Sequence, residues 1–123
     1  MVVVSFDKRK ELDVLREQFK ECTEFLLAIG DASRQRILIA IMEGEFGGSR
    51  IGDTAKKAHL SDPAVSHHLK TPKEAGIGKS YSRGTKNYYY IDASSSGFSK
   101  VKHMILSFES VAYEFAKTQN YEI

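Results

Sequence analysis

The chain reads as mainly helical with one small β-hairpin, and three patterns predict this. Near both ends, apolar residues recur at steps of three and four, the period of a helix with one buried edge. In the centre, residues 61–76 form a capped segment with one apolar edge and one polar, cationic edge. After it, two segments rich in Tyr, Ser and Thr flank Arg83-Gly84-Thr85, a connection suited to a hairpin.

The elements follow in order. From Lys8 to Ile29, the residues Leu12, Leu15, Phe19, Cys22, Leu26 and Ile29 mark a coiled-coil-like seam. Gly30 ends that helix, and Asp31 stands where it caps a second, about Ala32–Glu43, with Ile37, Leu38, Ile41 and Met42 facing inward. Gly44, Gly47 and Gly48 make a flexible connection, and Ser49 is expected to cap a short helix, about Arg50–Ala58. After His59-Leu60, Ser61 caps the next helix, Asp62 suits the positive end of its dipole, and Pro63 is tolerated in its first turn. On that helix Val65, Leu69 and position 72 share one side, while Pro63, Ser66, His67 and Lys70 share the other. Gly76 closes it as a left-handed cap. Strands are expected over about Lys79–Ser82 and Lys86–Ile91. Ser94-Ser95-Ser96-Gly97 breaks the chain before a last helix, about Ser99–Gln119, with Val101, Ile105, Phe108, Ala112 and Phe115 at helical spacing.

This order, α-α-α-α-β-β-α, is that of a winged helix-turn-helix domain: helix-turn-helix at 50–76, wing at 78–92, long helices at 8–29 and 99–119, all in one domain spanning 1–123. The terminal helices carry more apolar surface than so small a core needs. Pairing them across a two-fold axis, through Leu12, Leu15, Phe19, Val101, Ile105, Phe108 and Phe115, is the economical way to cover it.

With 123 residues, 41% hydrophobic and 28% charged, the chain has the composition of a small globular domain. No apolar run reaches the length of a membrane span, and the start, Met1-Val2-Val3-Val4, is too short for that or for a secretion signal. A single cysteine excludes an internal disulfide, so a cytoplasmic location is expected. The net charge of +2 is unevenly divided: residues 50–102 hold ten Lys and Arg against four acids, and the remainder is net acidic. A basic centre favours a polyanionic partner, and the polar edge of the 61–76 helix suits a DNA groove.

Ala28-Ile29-Gly30-Asp31-Ala32-Ser33-Arg34-Gln35-Arg36-Ile37-Leu38 resembles the entry segment of ArsR-type winged-helix transcriptional regulators, and Leu60-Ser61-Asp62-Pro63-Ala64-Val65-Ser66-His67-His68-Leu69-Lys70 resembles their recognition segment. Lys73-Glu74-Ala75-Gly76-Ile77, Arg83-Gly84 and Tyr88-Tyr89-Tyr90 are similar to that family's helix end, wing tip and second wing strand. The resemblance implies a homodimeric repressor that binds an imperfect palindrome in double-stranded DNA and is released by a small-molecule effector. It implies DNA contacts from Ser61, Ser66, His67 and Lys70, and phosphate or minor-groove contacts from Arg83 and Lys86.

Three residues depart from the family pattern. Asp62 stands where Gln or another neutral or basic residue is usual, and is assigned to the charge balance of the helix N-terminus. Pro72 stands where Leu is usual and predicts a kink or early break near Lys70–Thr71. Gly78 stands where an apolar strand residue is expected, and together Pro72 and Gly78 predict a loosened junction between helix and wing. His67 is assigned to DNA contact, whereas His68 is expected to pack.

Neither of the family's common metal sites is recognisable: Ile51-Gly52-Asp53-Thr54-Ala55 has no thiolate or imidazole, and Asp92-Ala93-Ser94 with His103-Met104-Ile105-Leu106 lacks half the ligands. No metal or other cofactor is expected, leaving only a cross-dimer pairing of Asp92 with His103 to be considered. Cys22 reads as a small core hydrophobe, with a redox contact to its mate in a dimer as the alternative. No phosphate loop, nucleophile elbow or carboxylate pair suggests an enzyme. The competing function is a winged-helix protein-interaction module using Tyr81, Tyr88, Tyr89 and Tyr90 with the terminal helices.

Overall fold

The computed structural model describes residues 6–118. Gln119 and the apolar start Met1-Val2-Val3-Val4 lie outside them. The elements are α1 (Lys8–Ile29), α2 (Ala32–Met42), a 3-10 turn (Glu45–Gly47), α3 (Ile51–Ala58), α4 (Asp62–His68), α5 (Lys70–Glu74), β1 (Gly78–Arg83), β2 (Lys86–Ile91) and α6 (Ser96–Thr118). The described residues divide into two compact units, 24–98 and the pair 6–23 with 99–118.

In the central unit, α2 tethers the end of α1. Asp31 caps α2 as expected, its carboxylate accepting from the Arg34 backbone N–H at 2.9 Å. The Arg34 guanidinium then donates to the Leu27 carbonyl at 2.6 Å and the Gln35 amide to that of Ile29 at 2.8 Å, so α2 side chains satisfy carbonyls that α1 leaves open at its end. The core beneath joins Ile37, Ala40 and Ile41 of α2 to Ala55 and Ala58 of α3 and to Val65 and Leu69, with Tyr89 and Ile91 of β2 packed on it. Ala40 replaces Met42 as the inward residue. Met42 is exposed because the helical period places it past Ile41, off the stripe that Ile37, Ala40 and Ile41 bury.

Ser49 does not cap α3. Arg50 occupies the cap position without a side-chain bond. Ser49 is buried and pairs with Tyr89 in a two-bond backbone bridge (2.8 and 2.7 Å), adding a short third arm beside the hairpin. Its hydroxyl lies 2.9 Å from that of Thr54. At the other end of α3, His59 takes a left-handed conformation (φ 57°), and the Leu60 N–H returns to the Ala55 carbonyl at 3.0 Å. That makes the turn of the helix-turn-helix.

The expected helix over 61–76 is interrupted at Leu69, slightly ahead of the predicted break. Leu69 keeps right-handed helical dihedrals (φ −72°, ψ −16°), and its carbonyl still receives the Lys73 N–H at 3.1 Å. The interruption follows from Pro72, which has no N–H to offer the His68 carbonyl. The junction with the wing is nevertheless tight. The Pro72 side chain is fully buried, and a Cβ on Gly78 would stand only 3.2 Å from the proline Cβ. The two departures are complementary, the absent side chain at 78 making room for the ring at 72. Gly76 ends α5 at φ +78°, with Gly76 and Ile77 N–H groups bonded to the Lys73 and Pro72 carbonyls, a complete Schellman cap.

The hairpin turns through two residues, Gly84 and Thr85, not three. Arg83 pairs with Lys86 in the register, and Gly84 supplies the positive φ (+63°) that a two-residue turn places first. The last helix begins at Ser96 rather than Ser99, because Ser95 caps it, its hydroxyl accepting from the Gly97 N–H at 3.3 Å.

In the terminal unit, the buried stripe comes from Leu15, Cys22, Met104 and Val111. Of the residues expected to pair two chains, Leu15 is buried within its own chain, and Leu12 and Val101 are half-buried. Phe19, Ile105, Phe108 and Phe115 are exposed. Phe19 and Phe108 meet edge to face with centroids 5.7 Å apart, and the Lys8 ammonium stands 5.2 Å from the centre of the Phe115 ring. No helix among the described residues is long and apolar enough to cross a membrane.

Candidate nucleic-acid interface

The site is built on α4. Ser61 caps it, its hydroxyl accepting from the Ala64 N–H at 3.2 Å, and Asp62 and Pro63 occupy the first turn. Val65 (0% exposed) and Leu69 fix the inner edge in the core. Ser66, His67 and Lys70 are exposed on the opposite edge, where the helical period places them. His68 is half-buried beside the His67 ring, between the two edges.

The wing supplies the second part. Tyr89 and Ile91 of β2 lean on the core, which leaves the hairpin tip free in solvent. Arg83 and Lys86 face each other across that tip, both exposed. Like charges directly opposite each other on a hairpin are unfavourable, and an anion between them relieves the repulsion.

Between the start of α3, the first turns of α4 and the wing turn lies a groove of about 660 Å³. Ser66 lines it with Arg50, Asp62, Pro63, Thr85 and Asn87. The structure thus brings Ser66 together with the wing turn, while His67, Lys70, Arg83 and Lys86 stand outside this groove and Ser61 is engaged at the cap. Arg50, Thr85 and Asn87 escaped the sequence reading. Arg50 was legible as the basic residue opening α3, but nothing local to Thr85 or Asn87 shows that the hairpin carries them back toward α4.

The groups considered for metal or redox chemistry are engaged or scattered. Asp92 accepts from the Ser94 hydroxyl (2.6 Å) and N–H (3.0 Å), which holds its carboxyl below the ordinary value, with Lys79 adding to the effect. His103 is exposed on α6. Cys22 is buried, and that burial pushes its thiol above the ordinary value, with Glu21 adding to it. Such a thiol is a poor nucleophile. Among the described residues, no three His, Cys, Asp or Glu side chains gather into a metal-holding group.

A capped helix with a free polar edge, a tight turn before it and a two-stranded wing after it define a winged helix-turn-helix protein. The family model for bacterial regulatory proteins of the arsR family matches residues 31–77. The chain is 40% identical over 76 residues to an HTH-type transcriptional regulator of Methanocaldococcus jannaschii, MJ1325, covering 61% of this chain and 82% of that one. It is 32% identical over 65 residues to the transcriptional repressor SdpR of Bacillus subtilis, covering 53% and 69%. The chain belongs to the ArsR family of transcriptional regulators. Its fold matches that of the homodimeric winged helix-turn-helix DNA-binding domain of Mb0332 from Mycobacterium bovis, with a TM-score of 0.53, 18% identity and coverage of 90% and 95%. These relatives are regulators rather than enzymes.

Proposed function

We propose that the chain is a homodimeric, sequence-specific DNA-binding repressor of the ArsR type, working in the cytoplasm and released from an imperfect palindromic operator by a small-molecule effector other than a metal ion. The observation that carries this reading is the division of α4: Val65 and Leu69 lock one edge into the core and leave Ser66, His67 and Lys70 free on the other. Base edges in a major groove are read by such short polar and imidazole side chains, and Lys70 suits a phosphate. Ser61, engaged at the cap, is assigned the helix entry, where its free hydroxyl hydrogen can still reach a phosphate. Arg83 and Lys86 take the backbone or minor groove beside the wing.

The repressor role is supported by the kinship with SdpR, and the dimer by the exposed Phe19, Ile105 and Phe108 and by the homodimeric state of the Mycobacterium bovis domain. Half-sites about one helical turn apart then follow from the two-fold symmetry. A non-metal effector is preferred because Asp92 and Cys22 are already committed to local bonds and burial.

The test is binding to DNA upstream of the chain's own gene across a salt series. With Lys70, Arg83 and Lys86 on phosphates in both protomers, the log–log slope is expected on the order of −5. A slope near zero would contradict the reading and favour a protein partner for the Tyr-rich wing.

A further inference from the structure

We propose that the outward face of the wing and the adjacent edge of α3 form a second backbone contact for duplex DNA lying beyond the reach of α4 and the wing turn. The inference rests on the DNA-binding reading above and adds a surface to it.

The hairpin register separates two faces. Tyr89 and Ile91 pack on the core, so Tyr81, Arg83, Lys86 and Tyr88 stand on the other face. Between that face, α3 and the loop before α3 lies a second groove of about 640 Å³. Arg50, Lys56, Lys57 and Arg83 line it, against two acids, Glu45 and Asp53. None of the four cations forms an ion pair among the described residues, and Lys57 reaches only the Glu43 carbonyl at 3.4 Å. Tyr81 and Tyr88 stack with centroids 5.3 Å apart and planes 13° from parallel. The Tyr81 hydroxyl extends to Gly48, where an added Cβ would meet it at 3.3 Å. Phenol hydroxyls and cations are both donors to phosphate oxygens.

Two features select duplex DNA as the occupant. All four cations are exposed and spread over two elements instead of converging on one buried point, which suits a repeating polyanion rather than one small anion. Arg50 and Asp53 also line the groove on the α4 side, so the two grooves share a wall. A duplex bent past the wing passes from one to the other, and bending is repaid by contacts of this kind.

The experiment compares two duplexes from the upstream region, one spanning two half-sites and one extended by about one helical turn on each side. Wild type is set beside the double variant Lys56→Gln, Lys57→Gln, whose exposed positions and good helix propensity leave α3 intact. Wild type is expected to bind the longer duplex about tenfold tighter, with a salt slope steeper by about 3 to 4, as four added phosphate contacts in a dimer require. The double variant is expected to lose this advantage and keep wild-type affinity for the short duplex. An advantage that survives in the variant, or an equal loss on both duplexes, would overturn the proposal. So would salt-dependent binding of wild type without any length advantage, or phosphate binding by the groove in its place, measured with inorganic phosphate. Absence of salt-dependent binding to either duplex would instead defeat the DNA-binding reading itself.

Discussion

α4 and α6 are both amphipathic, yet what they leave in solvent is opposite in kind. α4 buries Val65 and Leu69 and exposes serine, histidine and lysine. α6 buries Met104 (1% exposed) and Val111 and exposes Ile105 (52%), Leu106 and Phe108 (49%). A polar edge left free is stable in water, whereas an exposed apolar edge of that size is characteristic of surfaces that protein covers. In the proposed function, one helix serves reading and the other assembly.

The contrast breaks most visibly at Phe108. If the proposed dimer pairs α6 across a two-fold axis, Phe108→Glu places a charge on that face twice, so sedimentation should show monomers and operator affinity should fall on the order of 100-fold, with helical content unchanged. A dimer of wild-type affinity would remove α6 from the interface. Next in size is Val65→Ala, on the buried edge of α4. Truncation there should lower unfolding stability by about 2 kcal/mol while leaving DNA affinity of the folded protein near wild type. Loss of affinity without loss of stability would mean that the two edges of α4 are not separable.

The same contrast explains what could be read from the sequence. α4 was legible because its cap, first-turn proline and period agree, and because only one edge is apolar. In α6 the apolar arc covers about half of the helix, so the period alone could not tell Met104 and Val111, which are buried, from Ile105 and Phe108, which are not. Ser49 was read as a cap because a serine before a short helix usually is one, but its bridge to Tyr89 joins residues forty apart. Pro72 and Gly78 each looked like a defect, and their fit emerges only when α5 and β1 meet. In the site, Ser66, His67 and Lys70 follow from helical spacing, whereas Thr85 and Asn87 depend on how the hairpin folds back.

Two smaller effects come from helix ends, His59 closing α3 and Asp31 capping α2. His59 holds a left-handed backbone that disfavours any side chain, so His59→Gly should raise stability by about 1 kcal/mol by denaturant titration. An unchanged or lower midpoint would show that the imidazole compensates for the strain. Asp31 gives the smallest signal. Its bond from the Arg34 N–H, helped by the nearby Arg34 and His68 charges, holds its carboxyl below the ordinary value. A carboxyl depressed in the folded state stabilises above its unfolded pKa and loses that contribution as pH falls through the folded value. The stability gap between wild type and Asp31→Asn should therefore be full at neutral pH and close in acid, and a gap independent of pH would contradict the assignment.

The most direct measurement is a base-substitution profile of the operator, taken with wild type and with His67→Ala. If the outer edge of α4 reads sequence, the variant loses about 1–3 kcal/mol of discrimination at one or two positions in each half-site and keeps its preference elsewhere. A variant whose profile matches wild type at every position would contradict base readout by His67 on that edge.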